Sequence, residues 1–583
     1  MEPRQIVLFM LSSNISLLLL EAVVYLSAIA FALSFPRRGM KWVTLWRDRY
    51  CRFARRRALS VAAVIAFVLV VRGALIPMLP TPVPGVHDEF SYLLAADTFA
   101  SGRVTNPAHL LWKSLETFYV IQQPTYASMY PPAQGLAIAV GDLLGGHPWL
   151  GVYISIALMC GSICWMLQGW VPPQWALTGA MIAALRWGIY SYWSESYWGG
   201  AVAAIGGALV LGALPRLLRA PSRVAALVLA LGVLVLANSR PFEGLLVAAP
   251  VLGWLAWHFL KIPAGQRSIW FRRVALPIAG LLGLGLLCMI YYFWRVTGNP
   301  FIMPYKLHSA TYEITDPFLW QKIRKAPTYR YWVMEKYHVE RQTAAYERAH
   351  SLKGFITETV LKAESLTIFY LWPAVLPTLF ALPFLWRNFK VRVTLAFGLL
   401  MFAGLAVEIW PMTLHYHAPI TAVAVLLLVQ VMRFWRTRKW NGRPVGAAVC
   451  CAIPLFCLCM LTFRLAAAVS NVPVPEHGLA PWFTVVSGNL HRDEISRYLE
   501  AQPGQQLVLV HYSKAHHVDE EWVHNAADID SSKIVWARYA GTAENARVLE
   551  YFRQRHAWMV EVGEKSGQLK PLQATVNSVQ FSK

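Results

Sequence analysis

At 583 residues the chain could hold several soluble domains, yet 56% of it is hydrophobic and 14% charged, with a mean hydropathy of +0.42. That composition excludes a soluble globular protein and defines a polytopic membrane protein. The formal net charge of +22 comes from 53 Lys and Arg against 31 Asp and Glu; the basic residues lie in short clusters between apolar runs, which excludes a nucleic-acid surface concentrated on one folded face.

In chain order, twelve apolar runs approach the ~20 residues that a spanning helix needs: 7–34, 59–79, 149–169, 175–193, 197–215, 224–238, 244–260, 274–294, 366–386, 393–410, 414–432 and 444–468. The basic clusters fall in 37–57, 216–223, 261–273, 387–392 and 433–443, and the positive-inside rule places these loops on the cytoplasmic side. Counting crossings from either end puts 80–130, 145–149, 194–198, 239–243, 295–365, 411–417 and 470–583 outside. A shorter run, 131–146, then has both ends outside. It is expected not to cross but to lie as a juxtamembrane or re-entrant helix opened by Pro131 and Pro132. No cleavable signal-peptide pattern is seen, and the first run is long enough to remain as an anchor. The eight cysteines (Cys51, Cys160, Cys164, Cys288, Cys450, Cys451, Cys457 and Cys459) lie in apolar runs or the first basic loop, so no disulfide framework is expected.

The tail changes character. Gln506–Tyr512, Lys533–Tyr539 and Ala557–Val562 read as strands, with amphipathic helices at Arg492–Ala501 and Ala543–Arg555 between them. This alternation predicts a small α/β domain of about 110 residues. The expected organisation is an extra N-terminal helix and basic loop (1–57), a transmembrane core (58–469) with external loops 80–148 and 295–365, and an extracytoplasmic α/β domain (470–583).

Ionisable residues collect at the external level. His87-Asp88-Glu89-Phe90-Ser91-Tyr92 follows the second run directly, and charged groups at membrane depth mark pathways or sites by default; the alternative is a solvated acidic loop. Arg186 lies inside 175–193, Glu195 in a Ser-Glu-Ser-Tyr-Trp turn, Arg240 and Glu243 in Ser-Arg-Pro-Phe-Glu-Gly, Lys306 and His308 after Gly298-Asn299-Pro300, and Glu408, His415 and His417 beside a turn. A carboxylate there can take a proton from a hydroxyl, and Arg or Lys can hold a phosphate. Bland alternatives stand beside these roles. Arg186 can snorkel among interfacial aromatics, and Arg240 with Glu243 can be a local ion pair. His415 and His417, two apart, do not share a helix face and have no declared third ligand. His511, His516, His517 and His524 with Asp519, Glu520 and Glu521 lack a tight zinc spacing. Nothing demands a metal or other cofactor.

The order of Asp88-Glu89 with an aromatic, then Ala-Ser-Gly-Arg, then Tyr130-Pro131-Pro132-Ala133-Gln134-Gly135, resembles the GT-C glycosyltransferases. The branch is that of the protein O-mannosyltransferases and the lipid A aminoarabinose transferase. Ser239-Arg240-Pro241-Phe242-Glu243-Gly244, Gly298-Asn299-Pro300 and His415-Tyr416-His417-Ala418-Pro419 are compatible with it, and the resemblance covers about residues 58–435. It implies an all-α membrane core of about twelve spanning helices with juxtamembrane helices, and an inverting transferase with an extracytoplasmic active site in a bacterial inner membrane. The implied donor is a polyprenyl-phosphate-linked sugar. The implied catalytic carboxylate is Asp88, with Glu89 second. Arg186, Arg240 and Lys306 become candidates for the lipid phosphate, and His87, Glu195, His308, His415 and His417 for the pocket. Tyr92, Tyr126, Tyr130, Trp193 and Trp198 would stack on sugar or polyprenyl. Three features depart from the family: the helix 7–34 precedes the core, Met129 and Tyr130 stand where the family has a basic residue, and the tail is not a β-trefoil. The acceptor, whether lipid, glycan or protein, stays open.

Two other classes compete. A transporter or flippase of a lipid-linked or anionic solute would place polar groups near mid-membrane and show a two-fold repeat; neither is seen. A scaffold would act through its tail alone. Among enzymes, a ligase moving a whole lipid-linked glycan has the same sequence signature.

Overall fold

The computed structural model describes residues 3–34, 40–410, 414–470, 472, 474, 481–482, 488–563 and 567–572. Among the described residues, nine helices are long and apolar enough to cross a membrane, and the chain is a multi-pass membrane protein. The remaining three expected crossings take other forms. Leu352–Leu371 and Val375–Leu385 are bent by 93°. Pro373 explains the break, because a residue before proline avoids the helical region, and Trp372 is extended at ψ 140°. Pro173–Ala183 is prolonged by a π-turn at Ala184–Gly188, and Arg223–Ala237 has 15 residues.

Three boundaries correct the sequence-based expectation. Met40–Arg55 of the first basic loop is helical. The run expected at 274–294 is part of a helix spanning Ala264–Thr297, so the basic segment before it is helical too. The helix Leu352–Leu371 begins fourteen residues before the run at 366, inside the expected loop 295–365. In each case polar residues lowered the hydropathy without interrupting the helix.

The chain divides into two compact units. The membrane unit comprises residues 1–81, 149–287 and 351–486. Its interior is built on close helix contacts. At Gly207, in the helix Gly200–Arg219, a Cβ would stand 1.9 Å from the Pro419 carbonyl, so glycine is what lets the segment after His417 lie against that helix.

The second unit comprises residues 82–148, 288–350 and 487–583. Its four-stranded sheet runs Ile534–Arg538, Gln506–Tyr512, His556–Val562, Gly567–Pro571; the first three are parallel and the last antiparallel. Three strands match the expected ones, and Gly567–Pro571 was not foreseen, because its Gln, Lys and Pro give no apolar alternation. Successive side chains of Gln506–Tyr512 face opposite ways, and both faces are covered, as parallel strands require. Val508, Val510 and Tyr512 pack with Phe118, Tyr312, Tyr331, Val333, Met334 and Tyr337. Leu507 and Leu509 pack with Leu94, Leu115, Val120 and Tyr126. The tail sheet is thus sandwiched by segments from 82–148 and 288–350. The helix Pro132–Gly145, ended by Gly146 at φ +67°, has 14 residues; at ~1.5 Å per residue it falls short of a ~30 Å hydrocarbon core.

Candidate active site

In the second unit, the helix His87–Ala100 opens on the Asp-Glu pair. The two carboxylates are put to different uses. Glu89 reaches back to its own helix start, where Oε2 accepts from the backbone N–H of Gly85 at 2.9 Å and Val86 at 3.4 Å. This is the acidic half of a capping box, which satisfies amides that a helix start leaves unpaired. Asp88 is half-buried and turns to the Tyr-Pro-Pro turn, where Tyr130 donates its hydroxyl proton to Oδ1 at 2.5 Å.

Aromatic rings frame that carboxylate. Tyr92 stacks on Tyr130 at 4.4 Å, Tyr119 meets Tyr130 edge-on at 5.8 Å, and the hydroxyls of Tyr119 and Tyr337 bond to each other. Burial, with the Asp88 charge next, holds the Tyr130 phenol well above its usual range, so it stays a donor. Burial pushes Tyr337 up to about 12. Ser91 fixes the helix to the turn: its hydroxyl donates to the Tyr119 carbonyl at 2.7 Å and shares a 2.7 Å bond with Ser128, whose Oγ accepts from the Tyr130 amide. Tyr119 is left-handed at φ +58°, a conformation that costs a non-glycine residue ~1–3 kcal/mol and is concentrated at functional sites.

His87 points the other way. Its ring stacks on Phe118 at 4.1 Å and touches the edge of Tyr337 at 4.9 Å. Burial pushes it down to about 3, so it is neutral. Lys306 bonds Asp316 at 3.4 Å and is half-exposed, and His308 lies buried with Nδ1 3.5 Å from Glu313. Tyr126 is committed to the core, its hydroxyl donating to the Asn525 carbonyl at 3.1 Å. The tail histidines face separate partners: His511 meets Tyr539, His516 the Glu520 carbonyl, and His524 Phe90. Among the described residues no group of three or more His, Cys, Asp or Glu is arranged to hold a metal.

In the membrane unit the expected residues sort into structural and polar-cluster roles. Arg186, on the π-turn, donates to the carbonyls of Ile368, Phe369 and Trp372 at 2.8–3.1 Å and lies over Trp187 and Trp482. It caps the end of the helix Leu352–Leu371. Glu195 is clasped by Arg72, Nε to Oε1 and Nη2 to Oε2, both at 3.2 Å, with Arg72 0% exposed. His415 Nδ1 bonds the Tyr192 hydroxyl at 2.9 Å, and His417 Nδ1 that of Tyr370 at 2.8 Å. Trp198 meets His415 at 5.2 Å, and Trp193 meets Phe369 at 5.2 Å. Arg240 lies over the Tyr416 ring at 4.7 Å. Near it, Glu243, Lys362 and Glu408 interact electrostatically. Lys362 is 4% exposed and donates to the carbonyls of Leu405 and Glu408 at 2.8 and 2.6 Å.

Arg72, Lys362, Tyr119 and Tyr337 were missed in the sequence. A charge inside an apolar run was the available signal for Arg72, and one just before such a run for Lys362. The tyrosines gave none.

The fold and the Asp88 site define a multi-pass membrane protein with a carboxylate set among aromatic rings beside a covered sheet. No protein-family model and no curated protein matches the chain. It is similar in fold to ArnT from Cupriavidus metallidurans in the apo state, at 15% identity and TM-score 0.45, over 86% of this chain and 92% of that one. It is also similar to the archaeal oligosaccharyltransferase AglB from Archaeoglobus fulgidus in complex with an inhibitory peptide and a dolichol-phosphate, at 10% identity and TM-score 0.40, over 86% and 69%. The same organism's oligosaccharyltransferase tethered to an acceptor peptide gives 11% identity and TM-score 0.36, over 78% and 62%.

Proposed function

We propose that the protein is a GT-C-type glycosyltransferase that moves a sugar from a polyprenyl-phosphate carrier to a hydroxyl acceptor, with Asp88 as general base. The observation that carries this reading is the division of labour in the acidic pair: Glu89 caps its helix, while the half-buried Asp88 carboxylate faces a ring of hydroxyls and aromatic faces. Asp88 takes the proton as the acceptor oxygen bonds to the anomeric carbon; the carbon–oxygen bond to phosphate breaks, and the phosphate leaves with the electron pair. Attack opposite the leaving group inverts the anomeric centre. Tyr130 holds the Asp88 carboxylate in one orientation, and the tyrosine faces suit the apolar face of a sugar. Lys306, half-exposed and in the same unit as Asp88, is the proposed ligand of the lipid phosphate. The unit bearing Asp88 is placed on the extracytoplasmic side of a bacterial inner membrane, following the charge of the loops.

The test is sugar transfer in membranes from a panel of polyprenyl-phosphate sugars, comparing wild type with Asp88→Asn. Transfer from at least one donor, abolished by Asp88→Asn in a folded, inserted protein, is expected. Absence of wild-type transfer from every donor would overturn the reading and bring the transporter class forward.

A further inference from the structure

Tyr119, which meets Tyr130 beside Asp88, is held at φ +58°. A left-handed non-glycine residue persists only where the surrounding structure over-determines it. Within the second unit, the residues leading into Tyr119 are held by the tail. Arg538, at the end of the strand Ile534–Arg538, donates its backbone amide to the Ser114 carbonyl at 2.7 Å and its Nε to the Glu116 carbonyl. Its guanidinium lies over the Phe118 ring at 5.5 Å, and His87 stacks on the same ring at 4.1 Å. Glu521 completes the contact. Its Oε2 accepts from Arg538 Nη2 and from the Thr117 hydroxyl, both at 2.9 Å, while Oε1 accepts from the Tyr512 hydroxyl at 2.6 Å. Ser114, Glu116, Thr117 and Phe118 thus each touch one member of the Arg538–Glu521 pair. Arginine suits the position because its planar fork serves two partners in a fixed geometry that a lysine ammonium does not reproduce.

The same stretch of tail fixes the helix that carries Asp88. Glu520 forms a β-bridge with Val86, directly before the helix, and the Ala527 amide donates to Asp97 Oδ2 at 2.6 Å in its last turn. Residues 520–527 therefore hold the helix His87–Ala100 at both ends, and Glu521, between those contacts, holds the segment that enters Tyr119. The Asp88 helix and the Tyr119 side of its aromatic frame are referenced to one piece of tail. The side chains of Arg538 and Glu521 are each 1% exposed, so neither can meet a substrate; what they can do is position.

We propose that Arg538 and Glu521 are positioning residues of the Asp88 site, and that the tail is a working part of that site. The pair holds Tyr119 in its strained conformation, and Tyr119 in turn sets the frame in which Tyr130 meets Asp88. The consequence for catalysis rests on the glycosyltransferase reading; the consequence for Tyr119 does not.

The experiment measures amide hydrogen exchange by mass spectrometry, and transfer kinetics, on the full chain in detergent. Arg538→Lys keeps the charge and loses the Nε donor; Thr117→Val removes one hydroxyl at nearly constant shape and decides the matter alone if Arg538→Lys does not fold. Arg555→Met is the control: Arg555 is a buried tail arginine that donates to the carbonyls of Gln506, Asp530 and Ser532, and it touches nothing in 114–119 through them. Residues 119–130 carry the readout, because the Met129 amide bonds the Tyr119 carbonyl at 3.1 Å and Val120–Ile121 pairs with Ala127 and Ser128. Their exchange should rise about tenfold in Thr117→Val and Arg538→Lys and stay at the wild-type rate in Arg555→Met. In the same two variants kcat should fall about ten- to a hundredfold with KM values unchanged, as expected when strain at Tyr119 is no longer offset. Unchanged exchange in 119–130, an equal rise in Arg555→Met, or a kcat loss that only follows melting temperature across all three variants overturns the proposal. Wild type that transfers from no donor overturns the transferase reading, and faster exchange confined to Thr117→Val and Arg538→Lys still upholds the hold on Tyr119.

Discussion

At the scale of single residues, the account turns on which of two adjacent carboxylates is available for chemistry. Glu89 is tied to the amides of Gly85 and Val86, so Glu89→Ala should lower the melting temperature while leaving measurable transfer. Capping contacts of this type contribute ~0.5–2 kcal/mol, and a thermal unfolding curve beside a transfer assay checks both halves. In the proposed reaction Tyr130 acts through Asp88, as a positioning residue. A hydrogen bond to a charged group contributes ~1.5–3 kcal/mol, so Tyr130→Phe should reduce kcat about ten- to a hundredfold. The KM values should change little, because the lost bond orients the base and touches neither substrate. A fall in donor affinity with unchanged kcat would contradict that role.

At the scale of elements, buried charge in the membrane unit holds irregular backbone in place. The loop carrying Glu195 has no regular structure, and its carboxylate is clasped by Arg72 from the helix Arg57–Ala74. Removing one partner of a buried pair leaves a naked charge, which costs ~3–5 kcal/mol. Arg72→Leu and Glu195→Leu should each destabilise by that order, and the double variant by much less than the sum, in a denaturation cycle. Additive losses would show that the pair is not coupled. Arg186→Met should likewise cost stability, measured as melting temperature, and leave donor KM unchanged in whatever protein folds. The sequence located the Asp-Glu stretch, the Tyr-Pro-Pro turn and three of the four strands, because each has a local signal: adjacent charges, prolines, or apolar alternation. The structural partners of Arg186 and Glu195 were not legible, because partners 182 to 186 residues away for one and 123 for the other leave no trace in local pattern. The aromatic frame of Asp88 was legible at Tyr92 and Tyr130, which lie in or beside its motifs, and invisible at Tyr119 and Tyr337.

At the scale of the whole molecule, the second unit is built to keep histidines neutral and one carboxylate charged. Burial pushes His87 and His524 down to about 3 and His516 to about 4. An unfolded chain binds those protons from about pH 6.5 downward, so stability falls as pH drops from about 6.5 toward 3. Burial works against the Glu521 charge, but Arg538 at 2.9 Å, with the Tyr512 hydroxyl, holds its carboxyl down at about 2. That contribution is present above the ordinary carboxylate range and is lost as pH falls through about 4 toward 2. Both effects have one sign, so the melting temperature of the full chain in detergent should hold between pH 8 and 7 and fall steadily below 6.5. A melting temperature that rises on acidification would contradict the buried neutral imidazoles. The central claim is that Asp88 removes the acceptor proton, and general-base catalysis contributes ~10²–10⁴-fold. The most direct measurement is kcat for sugar transfer by purified, folded Asp88→Asn beside wild type. The account predicts a loss of at least about a hundredfold with donor KM little changed; an unchanged kcat would contradict it and remove the base from this carboxylate.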